Sequence, residues 1–475
     1  MSWWDADGYT IGRLLVTRGL AALYLVAFLA ALLQFRALIG ERGILPAPRF
    51  LARTSFRQSP SLFHRRYSDR LFAIVAVVGV ALSVLTLAGI TEQLPLVACM
   101  FVWFLMWGLY LSIVNVGQVW YSFGWESLLL EAGVLAIFLG NEDTAPPLLV
   151  LILLRWLLFR LEFGAGLIKM RGDRCWRDLT CLYYHHETQP MPGPLSRYFH
   201  LLPRPLHRVE VAGNHFTQLV VPFGLFLPQP VAGIAALIMI VTQLWLVISG
   251  NFAWLNWITI VIAVSVVPDS FYGPSIDPAA AYGPTPVAFS VAVVALTVLV
   301  AVLSYWPVAN MMSHRQAMNA SFNKWHFVNT YGAFGSVTRT RREVIVEGTT
   351  DSVATPATVW CEYEFKGKPG DVRRRPRQYA PYHLRLDWLM WFAGISRDYA
   401  AGWFPRFVGK LLENDPATVN LLRHNPFPDE PPRLVRARLF RYRFATRAQR
   451  RETGQWWVRE EIGDYMMPMS RADLP

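Results

Sequence analysis

The chain is poor in charge, in cysteine and in lysine. Only 16% of its 475 residues are charged, against roughly 25% in an ordinary soluble domain. With 53% hydrophobic residues and a positive mean hydropathy, that shortfall excludes a conventional soluble globule and implies a membrane protein. Four cysteines, Cys99, Cys175, Cys181 and Cys361, are too few for a disulfide scaffold. Cys99 lies inside an apolar run and is expected to be a small buried hydrophobe. Lysine occurs only at Lys169, Lys324, Lys366, Lys368 and Lys410. With abundant Ala and Val, the arginine excess looks like the coding bias of a GC-rich genome, as in many bacteria. There is no basic-aromatic RNA motif and no zinc-finger spacing. The net charge of +12 is therefore assigned to loops beside lipid headgroups, and nucleic acid is not expected as a partner. Internal repeats and low-complexity segments are also missing. The opening MSWWDADGYT lacks the basic region and small-residue cleavage site of a signal peptide, so the first apolar run is expected to stay as an anchor.

What is present is a series of apolar runs near the roughly 20 residues a bilayer requires. They cover residues 20–35, 71–90, 94–116, 127–139, 147–170, 211–227, 231–248, 252–267 and 286–306. The expectation is a multi-pass helical bundle of about nine segments over residues 1–308. Residues 309–475 have no further run of membrane length and read as a soluble, β-rich α+β domain. Strand-like alternation appears at 343–349, 358–368, 438–445 and 454–460. Residues 387–395 read as a helix with Asp387 as its N-cap, and 405–414 as a second helix with Pro405 in its first turn. Loops alternate in charge. Those holding Glu92, NEDTAPP, PQP, and Asp269 with Asp277 are acidic or neutral, whereas residues 36–70 and the tail carry nearly all the arginine. Positive-inside bias would place the arginine-rich side in the cytoplasm.

Two polar features interrupt the apolar pattern. RWLLFRLEFGAGLIKM sets Arg155, Glu162 and Lys169 seven residues apart, roughly on one face of a helix. Charges in a membrane segment must be paired or wet. One reading is a structural ion-pair network with Lys169 reaching the interface. The other is a polar cavity in which a desolvated Lys169 acts as a base, with Glu162 and His215 beside it. Gly164 and Gly166 would let another helix approach closely.

The second feature is GDRCWRDLTCLYYHHETQPMPGP, residues 172–194. A metal held by His185, His186 and Glu187 is disfavoured, because adjacent side chains point apart on helix and strand alike. Chelation would need outside ligands such as His200, His207 or His215, and no metal or other cofactor is expected. A turn would bring Cys175 and Cys181 within the ~7 Å a disulfide tolerates. They are bonded if the loop faces an oxidising compartment and free thiols otherwise. Asp173–Arg174 and Arg177–Asp178 are expected to make local charge-assisted hydrogen bonds.

The stretch 156–203, which contains the second feature and all of the first but Arg155, resembles the core signature of the lipase maturation factor family. So do NHFTQLVVPFGLF (214–226), SGNFAWLNW (249–257), NTYGAFGSVTRTRREVIVEGT (329–349), YEFKGKPGD (363–371), YHLRLDWLMWFA (382–393), HNPF (424–427) and WWVRE (456–460). The resemblance implies a multi-pass protein of the endoplasmic reticulum membrane in animals, or of the cell membrane in a bacterium. It would help secreted lipases fold and assemble into active dimers, and is connected with redox balance in that compartment. Its polar loops and C-terminal domain would face the lumen and contact the client, so family and arginine distribution disagree on sidedness. No catalytic residue carries over. Cys175, Trp176, Cys181, His186, Glu187, Asn214, His215, Asn329, Gly332, Asp387 and Trp388 fall on the pattern. Trp176, His186, Glu187, Trp388, Trp391 and Trp456 are the candidates for client contact, and membrane lipid is the other expected partner. The chain departs from the pattern at Gly367, where a cysteine is expected; Cys361 stands six residues earlier. AGLIKMRGDRCW (165–176) is also remotely similar to vitamin K-dependent carboxylases, in which a lysine in this neighbourhood acts as a base.

Overall fold

The computed structural model describes residues 4–273 and 282–473, which leaves the expected loop residue Asp277 outside the described residues. Among the described residues, five helices are long and apolar enough to cross a membrane: Asp7–Leu38, Asp69–Leu87, Leu96–Val116, Val231–Ser249 and Val287–Met312. Their outward faces are apolar. On the last of them Val287, Val291, Val294, Val298 and Val302 are all exposed, at helical spacing, as a lipid-facing stripe requires.

The expected count of about nine is not confirmed among the described residues, for a physical reason. The Gly124–Ala136 helix has 13 residues and Leu255–Val264 has 10, short of a bilayer at 1.5 Å per residue. The run 211–227 breaks into Arg204–Leu219 and Val221–Gly224, with Pro222 at the break. The 24-residue helix Leu148–Arg171 is long enough but carries five charges, Arg155, Arg160, Glu162, Lys169 and Arg171. Gly124–Ala136, Leu255–Val264 and Leu148–Arg171 are apolar chiefly because protein surrounds them, whereas Phe216, Val220 and Phe223 of the broken run are exposed. Gly124–Ala136, for example, is buried along nearly its whole length.

The acidic loops gather at one end of the bundle. There the Asp269 carboxylate accepts from Thr10 N and Ile11 N, both at 2.9 Å. It thereby satisfies two amides that open the first helix. Glu142 N donates to Glu92 O in the same layer.

At the opposite end sits the C-terminal region. A hairpin pairs β1 (Ala320–Ser321) with β2 (Asn329–Thr330). An antiparallel sheet follows in the order β4-β3-β5-β6, with β3 at Arg341–Thr349, β4 at Cys361–Glu362, β5 at Leu434–Phe444 and β6 at Trp457–Met469. Three of the four expected strands are present, and β6 runs well past its expected end. The fourth, 358–368, shrinks to two residues because Asp387 draws its C-terminal half away. The Asp387 carboxylate accepts from Gly367 N (2.6 Å) and Lys368 N (3.0 Å). It is therefore no N-cap: the helix starts at Arg385 behind Leu384, and Asp387 pins a neighbouring turn instead. The second expected helix is present as Phe404–Leu412, with Pro405 in its first turn. Inside the sheet Glu343 holds Arg341 (2.6 Å) and Lys368 (3.0 Å), all three buried.

Candidate functional site

Two carboxylates on the buried Gly124–Ala136 helix fasten the C-terminal region to the bundle. Glu131 binds Arg160 from the charged helix, and its second oxygen accepts from Asn329 N (2.9 Å), Asn329 Nδ2 (2.8 Å) and the Tyr331 hydroxyl (2.6 Å). Glu126 accepts from Arg385 at 2.6 Å and from the Tyr110 hydroxyl. The Arg385 guanidinium also lies 3.5 Å from the Tyr121 ring centre. A buried carboxylate is tolerated only when its lone pairs are met in this way.

The 172–194 loop is wedged between bundle and sheet. Cys175 and Cys181 are disulfide-bonded, with Cα atoms 4.8 Å apart. Trp176 is buried and its indole donates to Phe334 O at 2.8 Å. Asp173 pairs with Arg339 at 2.8 Å, which holds its carboxyl below the usual range. Arg341 on β3 donates to the carbonyls of Glu187 (2.9 Å) and Pro190 (3.0 Å), and Trp391 donates to Thr188 O at 2.8 Å. The Glu187 carboxylate accepts from Phe444 N at 2.6 Å on β5, and burial pushes its pKa up to about 7. Of the remaining expected contact residues, His186 and Trp388 are buried and Trp391 is half-buried. Trp456 is buried beneath Arg450, whose guanidinium lies 3.7 Å above the ring. Gly367 lies against the loop as well, since a Cβ there would stand 2.5 Å from the Met191 sulfur. Cys361 is a free thiol.

In the charged helix the seven-residue spacing does not produce one ion-pair stripe. Arg155 turns to the Tyr9 hydroxyl at 2.9 Å. Lys169 Nζ donates to Asn214 Oδ1 (2.7 Å) and Gln218 Oε1 (2.8 Å) and lies 4.9 Å from the Trp176 ring centre. Gln218 passes the contact on to Glu162 (3.1 Å), Glu162 accepts from Gln243 (2.6 Å), and Gln243 accepts from Asn256 (2.6 Å). This polar relay stitches four helices. It engages the Lys169 ammonium from several sides, whereas a catalytic base presents a free lone pair to substrate. His215 bonds to Trp176 O at 2.9 Å and so belongs to the loop anchor. The sequence reading missed Gln218, Gln243 and Asn256, although polar residues in apolar helices were the available signal.

One more cluster lies beside the loop. His186 Nε2 is 3.4 Å and His207 Nδ1 3.8 Å from Glu210 Oε2. These three side chains have the donor types and proximity to hold a metal ion.

Comparison with known proteins matches nearly the whole of this chain in sequence. The lipase maturation factor transmembrane domain matches residues 11–273, and the lipase maturation factor C-terminal domain matches residues 327–468. Human lipase maturation factor 1 is 43% identical across 98% of this chain and 89% of its own length. The mouse protein of that name is 41% identical across 98% and 88%. Chicken lipase maturation factor 2 is 27% identical across 97% and 82%. No solved structure matches. Both halves of the chain and the fastenings between them thus fall within matched regions, and the chain belongs to the lipase maturation factor family.

Proposed function

We propose that this chain is a membrane-embedded assembly factor for secreted client proteins, lipases foremost. It would act at the end of the bundle that carries the 172–194 loop and the C-terminal sheet. The observation that carries this reading is the similarity over 98% of the chain to a protein named lipase maturation factor. The geometry supports it in kind. Loop, sheet and bundle are fastened to one another by buried pairings, and a preorganised surface binds at a lower ordering cost. Trp176, His186, Trp388 and Trp456 shape that platform from within, while Trp391 and Glu187 lie nearer its border. The client-facing ledge we assign is β6, an edge strand on which Ile462 and Met467 are exposed. An open edge with outward apolar side chains suits extended segments of an unfinished chain. This end is assigned to the non-cytoplasmic side, in the endoplasmic reticulum lumen in a eukaryotic host, where the disulfide of Cys175 and Cys181 is stable.

The test is complementation. The chain is expressed with a secreted lipase in animal cells that lack their own lipase maturation factor. The expected result is a rise in lipase activity per unit of secreted lipase protein, reduced by Ile462→Asp with Met467→Asp. No rise, with the chain folded in the membrane, overturns the proposal.

A further inference from the structure

The His186, His207 and Glu210 cluster is not used by the fastenings described above, and its geometry is specific. His207 and Glu210 stand one turn apart on the Arg204–Leu219 helix, so both side chains face the same way. His186 meets them from the Leu182–Thr188 helix of the loop. The three candidate ligand atoms lie within 4.8 Å of one another. Around a tetrahedral zinc ion, ligand atoms about 2.0–2.1 Å from the metal stand roughly 3.3 Å apart. His186 Nε2 and Glu210 Oε2, at 3.4 Å, already have that separation; His207 Nδ1, at 3.8 Å from Glu210 Oε2, needs a shift of about half an ångström there, and the two imidazole nitrogens, which lie within 4.8 Å of each other, draw closer still on binding.

The surroundings are those of a metal site rather than of a chance contact. His186 and His207 are each 2% exposed. His207 directs Nε2 at the carbonyl of His200, 3.3 Å away. A proton on that nitrogen leaves Nδ1 as a bare lone pair facing Glu210, and Nδ1 is buried without a hydrogen-bond partner. The other carboxylate oxygen, Oε1, accepts from the Trp245 indole at 2.7 Å. That contact fixes the carboxylate and leaves Oε2 for the ion. Such outer contacts to a carbonyl and from an indole orient metal ligands and set their basicity. The Glu210 side chain is 13% exposed, enough to leave a fourth position to water.

We propose that His186, His207 and Glu210 bind a divalent transition ion of the zinc type. The ion would cross-link the loop to the Arg204–Leu219 helix. The sequence reading required ligands from outside the loop before any metal was credible, and His207 and Glu210 are such ligands. The inference rests on geometry alone and stands or falls independently of the client proposal.

For the test, the full chain is purified in detergent through a histidine-free tag, stripped with chelator and returned to Zn(II) or Co(II). Wild type and His215→Gln are expected to retain about one zinc per chain by elemental analysis. They are also expected to give the visible absorption of four-coordinate cobalt. His207→Ala and Glu210→Gln lose both signals, and Trp245→Phe weakens zinc binding about 10-fold. Glu210→Gln keeps the acceptor for Trp245, so it separates loss of ligation from loss of fold. Absence of zinc and cobalt signals in wild type, or signals undiminished in Glu210→Gln, overturns the proposal.

Discussion

At the residue scale, buried charges decide what the chain tolerates. Glu131→Ala strands Arg160 in the interior and removes the acceptor of Asn329 and Tyr331. The expected loss is about 3–5 kcal/mol, read as a lowered thermal unfolding midpoint in detergent. The double replacement Glu131→Leu with Arg160→Met should cost less than Glu131→Ala alone, because no charge is left unpaired. Lys169→Met should keep client activity, since the ammonium serves a relay; its loss in a folded variant would restore the base reading. Protonation adds a pH dependence. Burial holds His326 and His383, both outside the membrane-crossing helices, to about 4, below the ordinary 6.5. The unfolded chain takes up protons that the native one refuses. Stability therefore falls as pH drops from about 6.5 toward 4, by about 1.4 kcal/mol per pH unit for each imidazole. Glu187, raised to about 7, works in the opposite sense between about 7 and 4.5. Two imidazoles against one carboxyl leave a net loss, and unfolding midpoints at pH 7.5 and 5.5 check it. Legibility at this scale was uneven. Charges such as Arg155, Glu162 and Lys169 stood out in an apolar run, but their partners did not. Spacing along one helix reports only that helix, whereas Gln218 and Gln243 reach Glu162 from two others and Asn256 reaches Gln243 from a third.

At the element scale, the loop is the part whose tying should be measurable. The Cys175–Cys181 bond closes a short ring, for which loop-closure entropy gives about 2 kcal/mol. Cys175→Ala with Cys181→Ala should lose that amount, and reductant should lower the unfolding midpoint of wild type but not of the double variant. The sequence announced this loop by its density of Cys, His and Pro, and the helices and long strands by their periods of 3.6 and 2. It could not separate a helix apolar because lipid touches it from one apolar because protein surrounds it. Gly124–Ala136 and Leu255–Val264 were therefore counted with the spans. It also read 358–368 as strand by alternation alone, where the grip of Asp387 on Gly367 and Lys368 overrides local preference.

At the scale of the whole molecule, the contacts of Arg341, Trp391 and Glu187 hold loop and tail at the same end of the bundle. Which compartment that end faces is open to a direct measurement. Val353 is exposed in the turn after β3, and Val353→Asn completes an acceptor triplet with Ala354 and Thr355. Expressed in animal cells, this variant should gain an endoglycosidase-sensitive mobility shift; absence of the shift would put the sheet in the cytoplasm. That a small sheet region follows the apolar helices was legible from where the long apolar runs stop. The single pairings that tie this region to the bundle were not, because they join residues far apart in the chain.

The pairing of Glu126 with Arg385 has a consequence in time. The two residues are 259 positions apart. At a synthesis rate of about 5–20 residues per second, the ribosome needs roughly 13–50 s to cover that distance. During that interval Glu126 and Glu131 already belong to the bundle, while Arg385 and Asn329 do not yet exist. A protein read as finishing others is thus itself finished last at its own centre, and a chain ended before Asn329 would leave both carboxylates waiting.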